Sequence, residues 1–224
     1  RLQAIINMQS LETYPIDPNG IVPLRASSRD TPLTILGHET GHLFLAYASV
    51  RDPSSPWARP MLSADRFHWN FYFNSDASLV EGNRIEDRGV NVSPRFLTAA
   101  VTQGYSALDQ YLMGLLPAGE VAPTFFVANP SPMTFAGIPR PGVSFDGQRR
   151  DVEIKEIVEA EGRRVPDHTL AQRRFRIAFV LVVPQGGEPP ASAVSRLDTY
   201  RREFEAAFSR YAGGLAIADT SLRQ

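Results

Sequence analysis

The chain has 224 residues, 43% of them hydrophobic and 21% charged, which is long enough to bury a sizeable core and ordinary for a globular protein. A formal net charge of −1 indicates neither a basic nucleic-acid surface nor an acidic tail, and no uninterrupted apolar run is long enough to span a bilayer. Cysteine is absent, so disulfides, thiolate ligands and cysteine nucleophiles are excluded and any metal must be held by His, Asp or Glu.

The chain opens at Arg1 and reads as a piece of a longer protein, so the lack of a leader says nothing about secretion. Arg1 to Met8 alternates weakly, as an entry strand or short helix would, and the prolines and glycine from Tyr14 to Pro23 then spell turns. Thr31-Pro32 supplies an N-cap and a first-turn proline, predicting a helix that runs to the stop at Asp52-Pro53. Within it lies His38-Glu39-Thr40-Gly41-His42, an H-E-x-x-H motif set among apolar neighbours. Residues four apart share a helix face, so His38 and His42 can bind one metal ion while Glu39, beside it, takes a proton from an activated water. A surface helix can carry the same three residue types by chance, but a mostly apolar helix must give its histidines and carboxylate partners.

Arg51 to Ala64 has loop chemistry, and Phe67 to Asn83 begins as an aromatic, strand-like run headed by His68 and ends at a Gly82-Asn83 turn. The stretch from Pro94 reads as loop into a second helix capped by Ser106 and stopped by Pro117, with Asp109 and Tyr111 on it. Pro123 to Gly147 is expected to be mostly loop around two apolar pieces, Thr124 to Ala128 and Met133 to Ala136. Asp151 to Gly162 predicts a short strand passing into an acidic helix, and Phe175 to Val183 a buried strand. Val194, Leu197, Phe204, Phe208 and Tyr211 recur at helical spacing until Gly213-Gly214. The interspersed helices and strands, with no evident boundary, indicate one α+β domain over residues 1–224.

A catalytic zinc takes three protein ligands, so a third is needed. Of the four histidines, His168 sits in a polar turn, whereas His68 lies in an aromatic segment where an unpartnered imidazole is awkward; His68 is the first candidate, against a core histidine bonded to backbone. Asp109 on the second helix is its main competitor, and Asp76, Glu81 and Glu86 are further options. The extended three-histidine form H-E-x-x-H-x-x-G-x-x-H is not met, since positions 45 and 48 are Leu and Ala. Tyr111 or Tyr105 is a candidate for polarising the scissile carbonyl, and Met113 for a floor beneath the metal.

The blocks GHETGHLFLAY, FHWNFYFNSDASLVEGN, YSALDQYLMGLLPAGEV, DVEIKEIVEAEG with VPD, and FRIAFVLVV resemble a group of bacterial zinc-metallopeptidase-like proteins whose members look secreted, over about Thr34 to Tyr211. Only H-E-x-x-H among these blocks carries a known mechanism. By analogy with zincins the resemblance implies a zincin-like fold with His38 and His42 as ligands of one zinc ion, Glu39 as general base and acid, a peptide or protein substrate and a secreted or cell-surface location. Competing expectations are a catalytically silent binding or scaffolding module of a larger secreted protein and a zinc hydrolase of non-peptide substrates. The intact Glu39 favours an enzyme over the silent module.

Overall fold

The computed structural model describes residues 2–45, 47–133 and 138–221. Thr31 caps the first helix as its residue type dictates: its hydroxyl accepts from the Thr34 amide at 3.2 Å, and its own amide donates to the Thr34 hydroxyl at 2.8 Å. This helix, α1, spans Pro32–Gly41 and closes at His42 instead of continuing to Asp52. The amides of Phe44 and Leu45 both bond to the Gly41 carbonyl, at 2.8 and 3.0 Å, and the chain turns away. The cause is tertiary: Leu45, Ala48 and Val50 are all buried. A continued helix would swing Val50 to the side opposite Leu45, about 100° being turned per residue.

Four strands, β1 (Asn83–Asp87), β2 (Phe96–Val101), β3 (Thr124–Ser131) and β4 (Ser144–Val152), form an antiparallel sheet in the order β1-β2-β4-β3. The architecture is mixed α+β with a small antiparallel sheet. One sheet face buries Phe96, Phe125, Val127 and Phe145 with Phe71, Tyr72 and Ile85 in a local core. Three of these strands are corrections to the sequence reading, which took β2 as loop leading into a helix, β3 as mostly loop and β4 as loop up to Gly147 with a strand only from Asp151; β1 begins at Asn83, where that reading put a turn. β4 is hard to see because it is polar on both faces from Asp146 to Asp151. Arg149 and Arg150, on opposite faces, lie over rings of β3, the Arg149 guanidinium 4.0 Å from the Phe125 ring centroid and that of Arg150 5.7 Å from the Phe126 centroid. The predicted apolar piece from Met133 lies, from Thr134 on, outside the described residues.

The Phe67 to Asn83 run is not a strand. Trp69, Phe71 and Phe73 are buried at alternate positions as the pattern suggests, but the backbone is folded into turns, with the Phe73 amide on the Asn70 carbonyl and the Ser75 amide on that of Phe73. Leu2 to Met8 likewise forms neither strand nor helix. α2 (Ala107–Leu112) has the expected Ser106 cap but closes at Met113, short of Pro117, where Gly114 stands at a φ of 78° and the Leu115 amide turns back to the Gln110 carbonyl at 2.7 Å; α3 (Ile154–Glu161) ends at Gly162, whose φ of 86° is open to glycine. α4 (Ala191–Tyr211) buries Phe204, Phe208 and Tyr211, as the stripe predicts, and Tyr200 besides, while Leu197 is only partly buried and Val194 stays 47% exposed. α1 meets α4 at Gly37, where an added Cβ would lie 2.7 Å from Leu79 Cδ1 and 3.2 Å from the Tyr211 ring.

Of the predicted buried strand over Phe175 to Val183, only β5 (Arg174–Arg176) pairs, in parallel with β6 (Ile217–Asp219). β6 ends where Asp219 turns back to cap the Ser221 amide, so after the Ile177 amide bonds to Asp219 the run has no strand to follow, and Val180 and Val182 are 75% and 85% exposed. No helix among the described residues is long and apolar enough to cross a membrane.

The loop over residues 74–82 is held as tightly as a strand. At Gly82 an added Cβ would meet the Ser78 amide nitrogen at 2.7 Å and the Ser75 hydroxyl at 2.1 Å. Gly82→Ala is therefore expected to cost about 1–3 kcal/mol, read as a lowered urea midpoint; an unchanged midpoint would show that this loop yields freely.

Candidate metal centre

Two elements meet at the three-histidine group. α1 presents His38 and, one turn on at its C-cap, His42; the short loop after Leu62 presents His68. Ring centroids lie 4.6 Å apart for His38 and His42, 5.2 Å for His38 and His68, and 5.1 Å for His42 and His68. One nitrogen from each falls within 4.8 Å of the others, so the group can hold a metal ion. His38 is buried, and the other two are partly exposed.

Two corners of the triangle, His38 and His68, are oriented from behind. His38 Nδ1 lies 2.9 Å from the Leu79 carbonyl oxygen, which can only accept, so Nδ1 carries the proton and Nε2 presents its lone pair. His38 Nε2 is 3.0 Å from His42 Nε2. His68 Nδ1 lies 2.7 Å from Asp65 Oδ2, leaving Nε2 as its free nitrogen. Carbonyl and carboxylate partners on the far nitrogens are the usual outer support of metal-binding imidazoles. Two nitrogens each about 2.0–2.1 Å from one tetrahedral ion are roughly 3.3 Å apart, close to the His38–His42 separation, and with His68 within 4.8 Å of both the group can hold a metal ion.

Asp65 is itself fixed, accepting from the Ser63 hydroxyl at 2.5 Å and the Phe67 amide at 2.8 Å. Burial opposes its ionisation, but these bonds and His68 outweigh it and hold the carboxyl below the usual carboxylate range. The His68 carbonyl accepts from the Ser63 amide at 2.9 Å, closing the loop around the ring. The opposite wall is a turn in which Asp76, Ala77 and Glu81 stand at φ of 55°, 57° and 54°, sparsely populated for residues with a Cβ. Bonds from the Gln103 amide to the Ala77 carbonyl, from Leu79 to Gly104 and from Trp69 to Val80 hold it in place.

The group opens into a cavity of about 490 Å³ lined by Arg25, Glu39, Tyr47, Phe67 and Glu81 with the three histidines. Glu39 is half-buried on the exposed side of α1. Burial raises its pKa, His68 and Arg25 pull it back down, and Glu81 adds to the rise. His38 is pushed down to about 3 by burial and by His42, and His42 is lowered by burial and by His68. Neutral imidazoles with free lone pairs are the ligand form.

The structure brings together His38, Glu39, His42 and His68 and leaves the other candidates elsewhere. Asp109 lies outside the three-histidine group: fully buried, it accepts from the Ser106 amide at 2.8 Å and from Trp69 Nε1 at 3.2 Å, capping α2 and pinning the residue next to His68. Burial raises its pKa to about 6, against the bonds it accepts. Tyr111 does not line the cavity; its hydroxyl accepts from the Arg164 amide at 3.2 Å. The Tyr105 hydroxyl donates to the Gly37 carbonyl at 2.6 Å inside the core, and Met113 is core as well. Asp76 pairs with Arg84, Glu86 is exposed on β1, and His168 is outside the group; only Glu81 of the further acids reaches the cavity. The sequence reading missed Asp65, Arg25 and Tyr47. Asp65 had a signal, since Ser63-x-Asp65-x-Phe67-His68 has the side-chain-to-backbone turn chemistry that fixes a loop. For Arg25 and Tyr47 there was none.

Comparison with protein-family models, curated proteins and solved structures gives no match.

His68→Ala should remove stoichiometric zinc, Asp65→Ala should weaken zinc binding about 10–100-fold, and Asp109→Asn should leave zinc content unchanged while costing about 1–3 kcal/mol of stability. Elemental analysis and urea titration read all three, and full zinc retention in His68→Ala would contradict the placement. In the metal-free protein, unfolded His38 gains its proton as pH falls below about 6.5, whereas the folded imidazole stays neutral until about 3. The folded state is therefore most stable above pH 6.5 and loses about 1.4 kcal/mol per pH unit from this residue as pH falls towards 3. Urea midpoints measured from pH 7 to pH 5 should fall more steeply than in His38→Gln; equal slopes would contradict a buried neutral His38.

Proposed function

We propose that the chain is a zincin-like zinc peptidase. The observation that carries the reading is Glu39, half-buried in the cavity beside three imidazoles whose free nitrogens converge. A zinc ion bound by His38, His42 and His68 would supply Lewis acidity toward a carbonyl oxygen and a water. Glu39 takes the proton from that water as its oxygen bonds to the carbonyl carbon, then delivers the proton to the amide nitrogen as the carbon–nitrogen bond breaks. Its raised pKa brings its basicity nearer the working pH, and its two tasks need one carboxylate able to hold and release a proton.

A polypeptide suits the surroundings better than a small molecule. A second cavity of about 290 Å³, walled by Leu43, Phe44, Ala48, Leu112, Glu161 and Arg164, adjoins the first through Tyr47, which lines both. An extended substrate can lie across the two.

Glu39→Gln should keep full zinc content and lower casein or peptide turnover by about 10²–10⁴-fold, with chelator abolishing the activity of the wild type and zinc restoring it. Zinc-loaded wild type with no chelator-sensitive turnover on a broad peptide library would sink the peptidase reading.

A further inference from the structure

The cavity holds one guanidinium among its described lining residues, Arg25, and its surroundings give it a defined task. Arg25 ends a tight turn over Pro23–Arg25, and its carbonyl accepts from the Ser28 and Asp30 amides at 3.2 and 3.4 Å. The Val22 amide closes the loop on the Asp30 carbonyl at 2.8 Å, one residue before the Thr31 cap of α1. The backbone of Arg25 is thus tied to the start of the helix that carries Glu39.

Its side chain is pinned from two sides. Nε lies 3.4 Å from Asp30 Oδ2, and Nη2 lies 3.2 Å from Glu81 Oε1. Asp30 is 6% exposed and is itself held by the Ser28 hydroxyl at 2.6 Å, so it cannot swing away. Glu81 is kept at its strained φ by the loop already described, with its second oxygen 3.8 Å from His68 Nδ1. Nε and Nη2 share one edge of the planar guanidinium, and the Nη1 donors belong to neither ion pair.

Two carboxylates on one guanidinium fix its orientation and leave the Nη1 donors outside both ion pairs. A donor fixed in place before the reaction is what stabilises an oxygen that gains charge only as the reaction proceeds. Tyr105 and Tyr111 are unable to act there, their hydroxyls being committed to the Gly37 carbonyl and the Arg164 amide, and the hydroxyl of Tyr47, which lines the cavity, donates to the His42 carbonyl at 3.3 Å. We infer that Arg25, held by Asp30 and Glu81, is the hydrogen-bond donor to the carbonyl oxygen as the attacked carbon becomes tetrahedral. The assignment rests on the zinc-peptidase reading and extends it.

The test uses cobalt(II)-loaded protein and phenylphosphonate, a tetrahedral oxyanion, titrated by the visible absorption of the cobalt site. Wild type should bind phenylphosphonate, and Arg25→Gln should bind it about tenfold or more weakly while holding the same cobalt content with the same spectrum before titration. Arg25→Lys, which retains a charge for both acids but lacks the fork, should fall between, and it carries the comparison where Arg25→Gln does not fold. In any peptide assay that works, the loss in Arg25→Gln should fall on kcat with KM little changed. Equal phosphonate affinity in the variants, or no phosphonate binding to cobalt-loaded wild type, would overturn the role of Arg25. Phosphonate binding that depends on Arg25 in a protein that cleaves no peptide would instead leave the donor in place and remove the peptidase reading. A wild type that takes up no cobalt would remove both.

Discussion

The hydrogen bond between His38 Nδ1 and the Leu79 carbonyl, 2.9 Å long and buried, joins the two halves of the site. It fixes the tautomer of the most deeply placed imidazole, and it ties α1 to the turn that carries Glu81. Without it, His38 would be a buried polar ring packed against apolar neighbours, at the cost of an unpaired donor. With it, Nε2 faces His42 and His68 as a lone pair. The Tyr105 hydroxyl makes a parallel tie at the Gly37 carbonyl, so the helix is braced from two directions immediately before its first histidine.

The same logic extends outwards. His68 depends on Asp65, Asp65 on Ser63 and the Phe67 amide, and Trp69 on Ser78 and Asp109. Ser63, Asp65, Ser78 and Asp109 do not line the cavity, yet each removes a degree of freedom from a group that does or from its neighbour. The left-handed residues Asp76, Ala77 and Glu81 show that strain is tolerated in this loop because its backbone is bonded at many points. Arg25 belongs to the same scheme, being set by two acids rather than by solvent.

The pairing of His38, Glu39 and His42 was legible because the chemistry demands residues four apart on one helical face, and a short-range rule reads that directly. His68 was legible for a different reason: an imidazole among aromatics needs a partner. The exclusion of Asp109 was not, because its partner Trp69 lies 40 positions away and its cap on α2 looks the same in sequence whether or not the other oxygen is free. The length of α1 was misjudged because caps and propensity cannot register that Leu45, Ala48 and Val50 must all enter one core. Most of β4 was missed because it is polar from Asp146 to Asp151 and its arginines lie over rings on the neighbouring strand, a cross-strand effect without local periodicity. The run over Phe175 to Val183 failed in the opposite sense, since its hydrophobicity is real but β6 offers it only a short partner.

Whether the three imidazoles bind zinc is most directly measured by X-ray absorption at the zinc edge after zinc is added, because imidazole scattering identifies and counts histidine ligands. Three imidazole nitrogens at about 2.0–2.1 Å with one further light atom are expected. Two imidazoles with two carboxylate oxygens, or a shell without imidazole, would contradict the three-histidine centre formed by His38, His42 and His68.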